Sequence, residues 1–104
     1  MAEPKVQQDP HRFFIEGEQG TAVLDYELIG SQIILKHTEV PAAQRGRGLG
    51  GALAHAALEH AREKGYAVIP VCPHVIRYLS GHPEYQSLVK NARFVTGKDS
   101  DSPG

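Results

Sequence analysis

The sequence predicts a single α/β (α+β) domain: an antiparallel strand meander, then a βαβ unit, then one or two C-terminal helices. Three features carry this reading. Three runs rich in β-branched and aromatic residues are joined by links of only three or four residues, which suit antiparallel neighbours. An alanine-rich amphipathic stretch then separates two strand-like runs by the length of one crossover helix. The chain has 104 residues, enough for one modest core and not for a second.

Residues 1–10 are polar, hold two prolines and show no periodicity, so residues 1–11 are expected to form a flexible arm. Residues 12–16 read as a short strand, and Gly17-Glu18-Gln19-Gly20 as a turn. Residues 21–28 interleave apolar and acidic side chains as a second strand, and residues 32–40 form a third after a turn at Ile29-Gly30-Ser31. Pro41 ends that strand because it has no N–H for a ladder.

A loop then opens a helix over about residues 49–64. Leu53, Ala54, Ala57, Leu58 and Ala61 form its inner stripe, and Gly65 its stop. The small stripe allows close approach to a sheet. Residues 66–72 are a nearly apolar fourth strand, with Pro70 marking an edge or splayed stretch. Pro73 suits the first turn of a second helix with Cys72 at its cap. Gly81-His82-Pro83 breaks that helix, and residues 84–92 form a further short one with Tyr85, Leu88 and Val89 inward. The folded domain is expected over residues 12–95, with a disordered tail at 96–104.

Hydrophobic residues make up 40% and charged residues 22%, as in globular rather than disordered chains. No apolar run reaches the roughly 20 residues that span a bilayer, and no signal-like segment opens the chain, so a cytoplasmic protein without membrane partners is expected. One cysteine forms no internal disulfide. His55 and His60, five apart on one helix, face different ways, and no metal site is expected. Net charge is −1, which argues against nucleic-acid binding. The charge is uneven: residues 1–31 sum to −4 and residues 32–98 to +5, making the later part the better host for an anion.

The informative segment is Gln44-Arg45-Gly46-Arg47-Gly48-Leu49-Gly50-Gly51, between a strand and a helix. Its four glycines leave the main chain open to a ligand. The helix start presents free N–H groups and the positive end of the dipole. Arg45 and Arg47 add bidentate donors. The alternative is a tight loop that only lets helix and sheet approach. Gly46, Gly48 and Gly51 fit a dinucleotide fingerprint, but that motif belongs to a first strand and wants an acid at the end of the next one, which here ends in Cys72. No Gly-Lys-Ser/Thr follows, so the segment is not a P-loop.

Arg45-x-x-Gly48-x-Gly50 resembles the Arg/Gln-x-x-Gly-x-Gly/Ala signature of the GCN5-related N-acetyltransferases, the GNAT superfamily. With His37-Thr38-Glu39-Val40-Pro41, Pro70-Val71-Cys72-Pro73 and His82-Pro83-Glu84-Tyr85, the similarity to small stand-alone GNAT-like proteins covers roughly residues 12–90. The resemblance implies a minimal GNAT-like fold, cut down to the cofactor-binding half. It also implies acetyl-CoA as cofactor, held by Arg45, Gly46, Arg47, Gly48, Leu49, Gly50 and Gly51, with the Val40 N–H polarising the acetyl carbonyl and Cys72 and His74 beside the slot. The implied activity is N-acetyl transfer to a small-molecule or peptide amine. The alternatives are a non-catalytic acyl-CoA-binding module or sensor, and a module using the loop for another phosphate.

Transfer needs a base for the amine proton and donors for the developing oxyanion. His37 and Glu39, two apart on a strand, share a face, and either can serve as the base. Cys72, at a strand end and a helix start with His74 nearby, is either a nucleophile for a two-step route or a small buried hydrophobe. Tyr78 is assigned, by the resemblance alone, the proton delivered to the leaving thiolate. The larger family's Asn, Tyr and Gly-Phe pattern after this strand is absent, and packing is the alternative for Tyr78.

Overall fold

In the computed structural model, which describes residues 5–89, five strands form one sheet in the order β1-β2-β3-β4-β5. The strands are β1 (Gln7–Asp9), β2 (Arg12–Gly17), β3 (Gly20–Ile29), β4 (Gln32–Glu39) and β5 (Ala67–Pro70). The first three pairings are antiparallel and β4–β5 is parallel. Helix α1 (Leu49–Lys64) makes the crossover, and α2 (Pro73–Ser80) follows β5. The α+β class and the meander-then-βαβ order are those the sequence predicts. The expected tail at 96–104 lies outside the described residues.

One sheet face carries the core. Phe13, Ile15, Ala22, Leu24, Tyr26, Ile33, Leu35 and Val68 point to it and are buried. Helix α1 lays its whole predicted stripe on them, with Leu53, Ala54, Ala57, Leu58 and Ala61 each fully buried. Alanine at three of those positions brings the helix axis close to the strands. Val75 and Leu79 of α2 pack into the same cluster, so both helices lie on one side. No helix among the described residues is long and apolar enough to cross a membrane.

The arm expected at 1–11 is corrected in part: Gln7–Asp9 is an edge strand on β2. Its residues have poor strand propensity, and side-chain bonds from elsewhere supply the order. Asp9 Oδ1 accepts the N–H groups of His11 (2.8 Å) and Arg12 (2.9 Å), which closes the turn into β2. Tyr26 donates its hydroxyl to the Asp9 carbonyl at 2.7 Å and accepts from Gln8 Nε2 at 3.1 Å. His60, between the rings of Phe13 and Tyr66, also meets Gln8, and burial lowers its pKa.

The short helix expected at 84–92 is a 3-10 turn over Pro83–Leu88, and Val89 leaves it to bridge Val68 in parallel. Residues 90–92 lie outside the described residues. Tyr85 fastens this segment to α1. Its buried hydroxyl donates to Glu59 Oε2 at 2.5 Å, and His55 Nδ1 lies 3.0 Å from the Tyr85 hydroxyl oxygen. Burial and the Glu59 carboxylate push the Tyr85 phenol far above its ordinary pKa.

The bond from Tyr85, and then Arg62, holds the Glu59 carboxyl below its ordinary value of 4.5. A depressed carboxyl stabilises the fold above its unfolded pKa and loses that contribution as pH falls through the folded value. The urea midpoint should therefore drop between about pH 5 and pH 3, and drop less steeply in Tyr85→Phe. Parallel pH profiles for the two proteins would show that this bond does not couple to folding.

Candidate functional site

The site begins where β4 and β5 part. Their ladder runs from Gln32↔Ala67 to Leu35↔Pro70. The Leu35 carbonyl then accepts both the Val71 and the Cys72 N–H at 3.0 Å. Beyond it, Lys36 to Glu39 have no backbone partner on the β5 side among the described residues. Pro70 fits this parting, since it has no N–H to extend the ladder.

A β-bulge sits at the same level. Asp25 pairs with His37 but Tyr26 pairs with Leu35, which leaves Lys36 as the extra residue. A bulge shifts the two-residue side-chain period by one. Ile33 and Leu35 face the core, and so does Thr38, whose Oγ1 lies 3.2 Å from Cys72 Sγ. His37 and Glu39 turn to the face without helices, where His37 Nε2 is 3.7 Å from Glu39 Oε1. Both are well exposed, at 62% and 71% of their side-chain surface, so either can exchange protons with solvent or an incoming group.

The chain reaches α1 through a 3-10 turn over Ala42–Gln44. Arg45 donates Nε to the Val40 carbonyl at 3.3 Å, which ties the loop back to the end of β4. Gly46 and Gly48 take left-handed backbone, with φ of 85° and 74°, and open space lies where a Cβ would be. Gly48 caps α1 with no side-chain bond, and Ala52 makes the first helical bond, to the Gly48 carbonyl, at 3.0 Å. The N–H groups of Leu49, Gly50 and Gly51 precede that bond and stand at the open helix end. Leu49 is buried and anchors this end in the core.

Helix α2 brings a second start to the same place. Its cap, Cys72, also makes no side-chain cap bond, and Pro73 takes the first position. The His74 imidazole lies against Gly50: a Cβ there would be 2.5 Å from His74 Nε2, a buried nitrogen without a hydrogen-bond partner among the described residues. Gly50 is thus explained by a neighbouring ring, while Gly46 and Gly48 are explained by their backbone angles.

A cleft of about 700 Å³ joins these parts. His37, Thr38, Glu39 and Val40 line it at the sheet end, and Gln44, Arg45, Gly46 and Gly48 to Gly51 along the loop. His74 and Arg77 close it from α2. Ten of the residues singled out from sequence meet here: His37, Glu39, Val40, Arg45, Gly46, Gly48, Leu49, Gly50, Gly51 and His74.

Three others lie elsewhere. Arg47, between two left-handed glycines, is exposed and does not line the cleft. Cys72 is buried in the core cluster, with Thr38 over its sulfur. Tyr78 stacks on His82 with ring centroids 3.8 Å apart, and burial pushes its phenol up. Its ring lies by Gly51, at the loop, rather than at the parted strand end.

Thr38, Gln44 and Arg77 also line the cleft, and the sequence reading assigns none of them a role. Arg77 was within reach of pattern analysis, since residues three apart on a helix share a face with one another, as His74 and Arg77 do. Thr38 was hidden by the bulge.

A family model described as GCN5-related N-acetyl-transferase matches residues 12–88. Protein NATD1 of Gallus gallus and of Mus musculus is 40% identical over 75 residues, 71% of this chain and 68% of each relative. The NMR solution structure of a GCN5-like protein from Staphylococcus aureus superposes with a TM-score of 0.64 at 25% identity, covering 86% of this chain and 91% of that one.

Gly50→Ala should cost about 1–3 kcal/mol by crowding the His74 ring. The same change made in His74→Ala should cost nothing, because alanine is then the better helix former. Gly51→Ala should be neutral, since its Cβ would meet only Tyr78 at 3.7 Å. Chemical denaturation of these variants tests the packing; an equal cost for Gly50→Ala in both backgrounds would refute it.

Proposed function

The chain belongs to the GCN5-related N-acetyltransferase family, and from that premise we propose that it carries acetyl from acetyl-CoA directly to an amine that approaches the helix-free face of the sheet. The observation that carries this reading is the cleft itself, which connects the unpaired edge of β4 to a glycine loop at two uncapped helix starts.

The residues fit the cofactor. The amides of Leu49, Gly50 and Gly51 and the guanidinium of Arg45 hold its pyrophosphate, where no Cβ blocks Gly46 or Gly48. The free edge of Lys36 to Glu39 offers backbone groups to the pantetheine arm. Bound acetyl-CoA supplies an activated thioester carbonyl. The Val40 N–H serves that carbonyl as a donor where negative charge develops.

His37 takes the amine proton, since imidazole is the side chain whose ordinary pKa lies nearest neutrality. Glu39 places a carboxylate 3.7 Å from its Nε2, on the same open face. Both stand on the open face, so the amine and its base meet on the side of the sheet away from the helices. The burial of Cys72 under Thr38 favours this direct route over passage through the thiol.

An amide NMR titration with acetyl-CoA should shift Val40, residues 45–53 and residues 74–77. An unchanged spectrum at millimolar ligand would overturn the cofactor assignment. Gly48→Ala reports the strain of a side chain in left-handed backbone, about 1–2 kcal/mol. Gly48→Glu adds a carboxylate at the phosphate position and should bind at least about tenfold more weakly than Gly48→Ala.

For the chemistry, His37→Ala should slow transfer by about 10²-fold or more with little change in cofactor affinity. Cys72→Ala should keep activity within about threefold, because a one-atom truncation at a site that only packs leaves the reacting groups in place. Abolished transfer in Cys72→Ala with cofactor binding intact would instead route the acetyl group through the thiol.

A further inference from the structure

Charge is sorted along the cleft. Among the described residues its one lining carboxylate, Glu39, stands at the sheet end beside His37. Arg45 and Arg77 stand along the loop and beyond it, and among the described residues neither forms an ion pair. Arg45 already spends Nε on the Val40 carbonyl. The Arg77 side chain makes no hydrogen bond among the described residues; only its carbonyl is engaged, accepting from Ser80 Oγ at 2.7 Å. Among the described residues it is an exposed guanidinium without a side-chain partner.

Helix α2 places its residues along the cleft in a fixed order. Cys72 touches Thr38 at the parted strand end, His74 lies against Gly50 at the loop, and Arg77 follows about 4.5 Å further along the axis. Coenzyme A has the same order of chemistry. Its thiol arm and its ribose leave the pyrophosphate in opposite directions, and the ribose bears a phosphomonoester at the 3′ position. With the arm at β4 and the pyrophosphate on the loop, the ribose end would lie toward Arg77. A guanidinium fork matches a phosphomonoester in shape and charge.

Resting on the acetyl-CoA reading above, we propose that Arg77 is a specificity residue that binds the 3′-phosphate of coenzyme A. This phosphomonoester subsite is separate from the glycine loop. It makes the protein select coenzyme A over nucleotide thioester carriers that lack the 3′-phosphate. The loop by itself does not make that distinction, because its amides meet only the pyrophosphate that both kinds of nucleotide carrier share.

Calorimetric titration of the full chain with coenzyme A and with 3′-dephospho-coenzyme A tests this. The unmodified protein should bind coenzyme A about tenfold more tightly at low salt, and the preference should shrink as salt rises. Arg77→Ala should lower coenzyme A affinity to that for dephospho-coenzyme A and leave the latter within about twofold of its original value. Arg77→Glu should invert the preference. Equal affinity of the unmodified protein for both ligands would overturn the assignment, as would an equal loss for both in Arg77→Ala. Binding of neither ligand by the unmodified protein would overturn the acetyl-CoA reading as well, so the two failures differ.

Discussion

The site depends on one local event in the sheet, the parting of β4 from β5 after Leu35. A single carbonyl takes two amides there, a proline ends the ladder, and an extra residue bulges β4 on its other edge. Among the described residues, the parting leaves a run of β4 backbone without a neighbour on its β5 side. Unpaired backbone between two strands is costly unless water or a ligand meets it. The same parting lets residues from opposite faces border one cleft. Thr38 and Val40 come from the side with the helices, and His37 and Glu39 from the side without them.

The second element is the convergence of two helix starts. An uncapped start is usually a defect, because its first amides lack partners. Two of them turned toward one cleft make a positive, donor-rich wall. The His74 ring against Gly50 fixes how close the two helices come, and the buried Leu49 and Val75 hold each first turn to the core. Residues that line the cleft therefore also pack the core, and the glycine loop is not a detachable module.

Much of this was legible in the sequence for a physical reason. Helix periodicity, glycine at positive φ and proline at strand and helix boundaries are local signals, set within a few residues of chain. They gave α1 its limits at Leu49 and Lys64 and its buried stripe residue by residue. They also gave α2 its cap at Cys72 and the loop its place between strand and helix. Where order came from distant partners, local signals failed. Gln7–Asp9 is a strand because Tyr26 and His60 hold it there, and Pro83–Leu88 stays tight because Tyr85 reaches Glu59.

What the sequence by itself determined is the set of elements, their order, and the glycine and arginine chemistry between β4 and α1. The tertiary structure decided which of those groups meet. The bulge at Lys36 is a property of two paired strands, invisible in either alone, and it sends His37 and Glu39 to one face and Thr38 to the other. The backbone angles at Gly46 and Gly48 leave Arg47 outside the cleft, while α2 supplies Arg77 from 30 residues further along the chain. Side-chain periodicity is a one-dimensional code, whereas register and helix docking are set by the whole packed core.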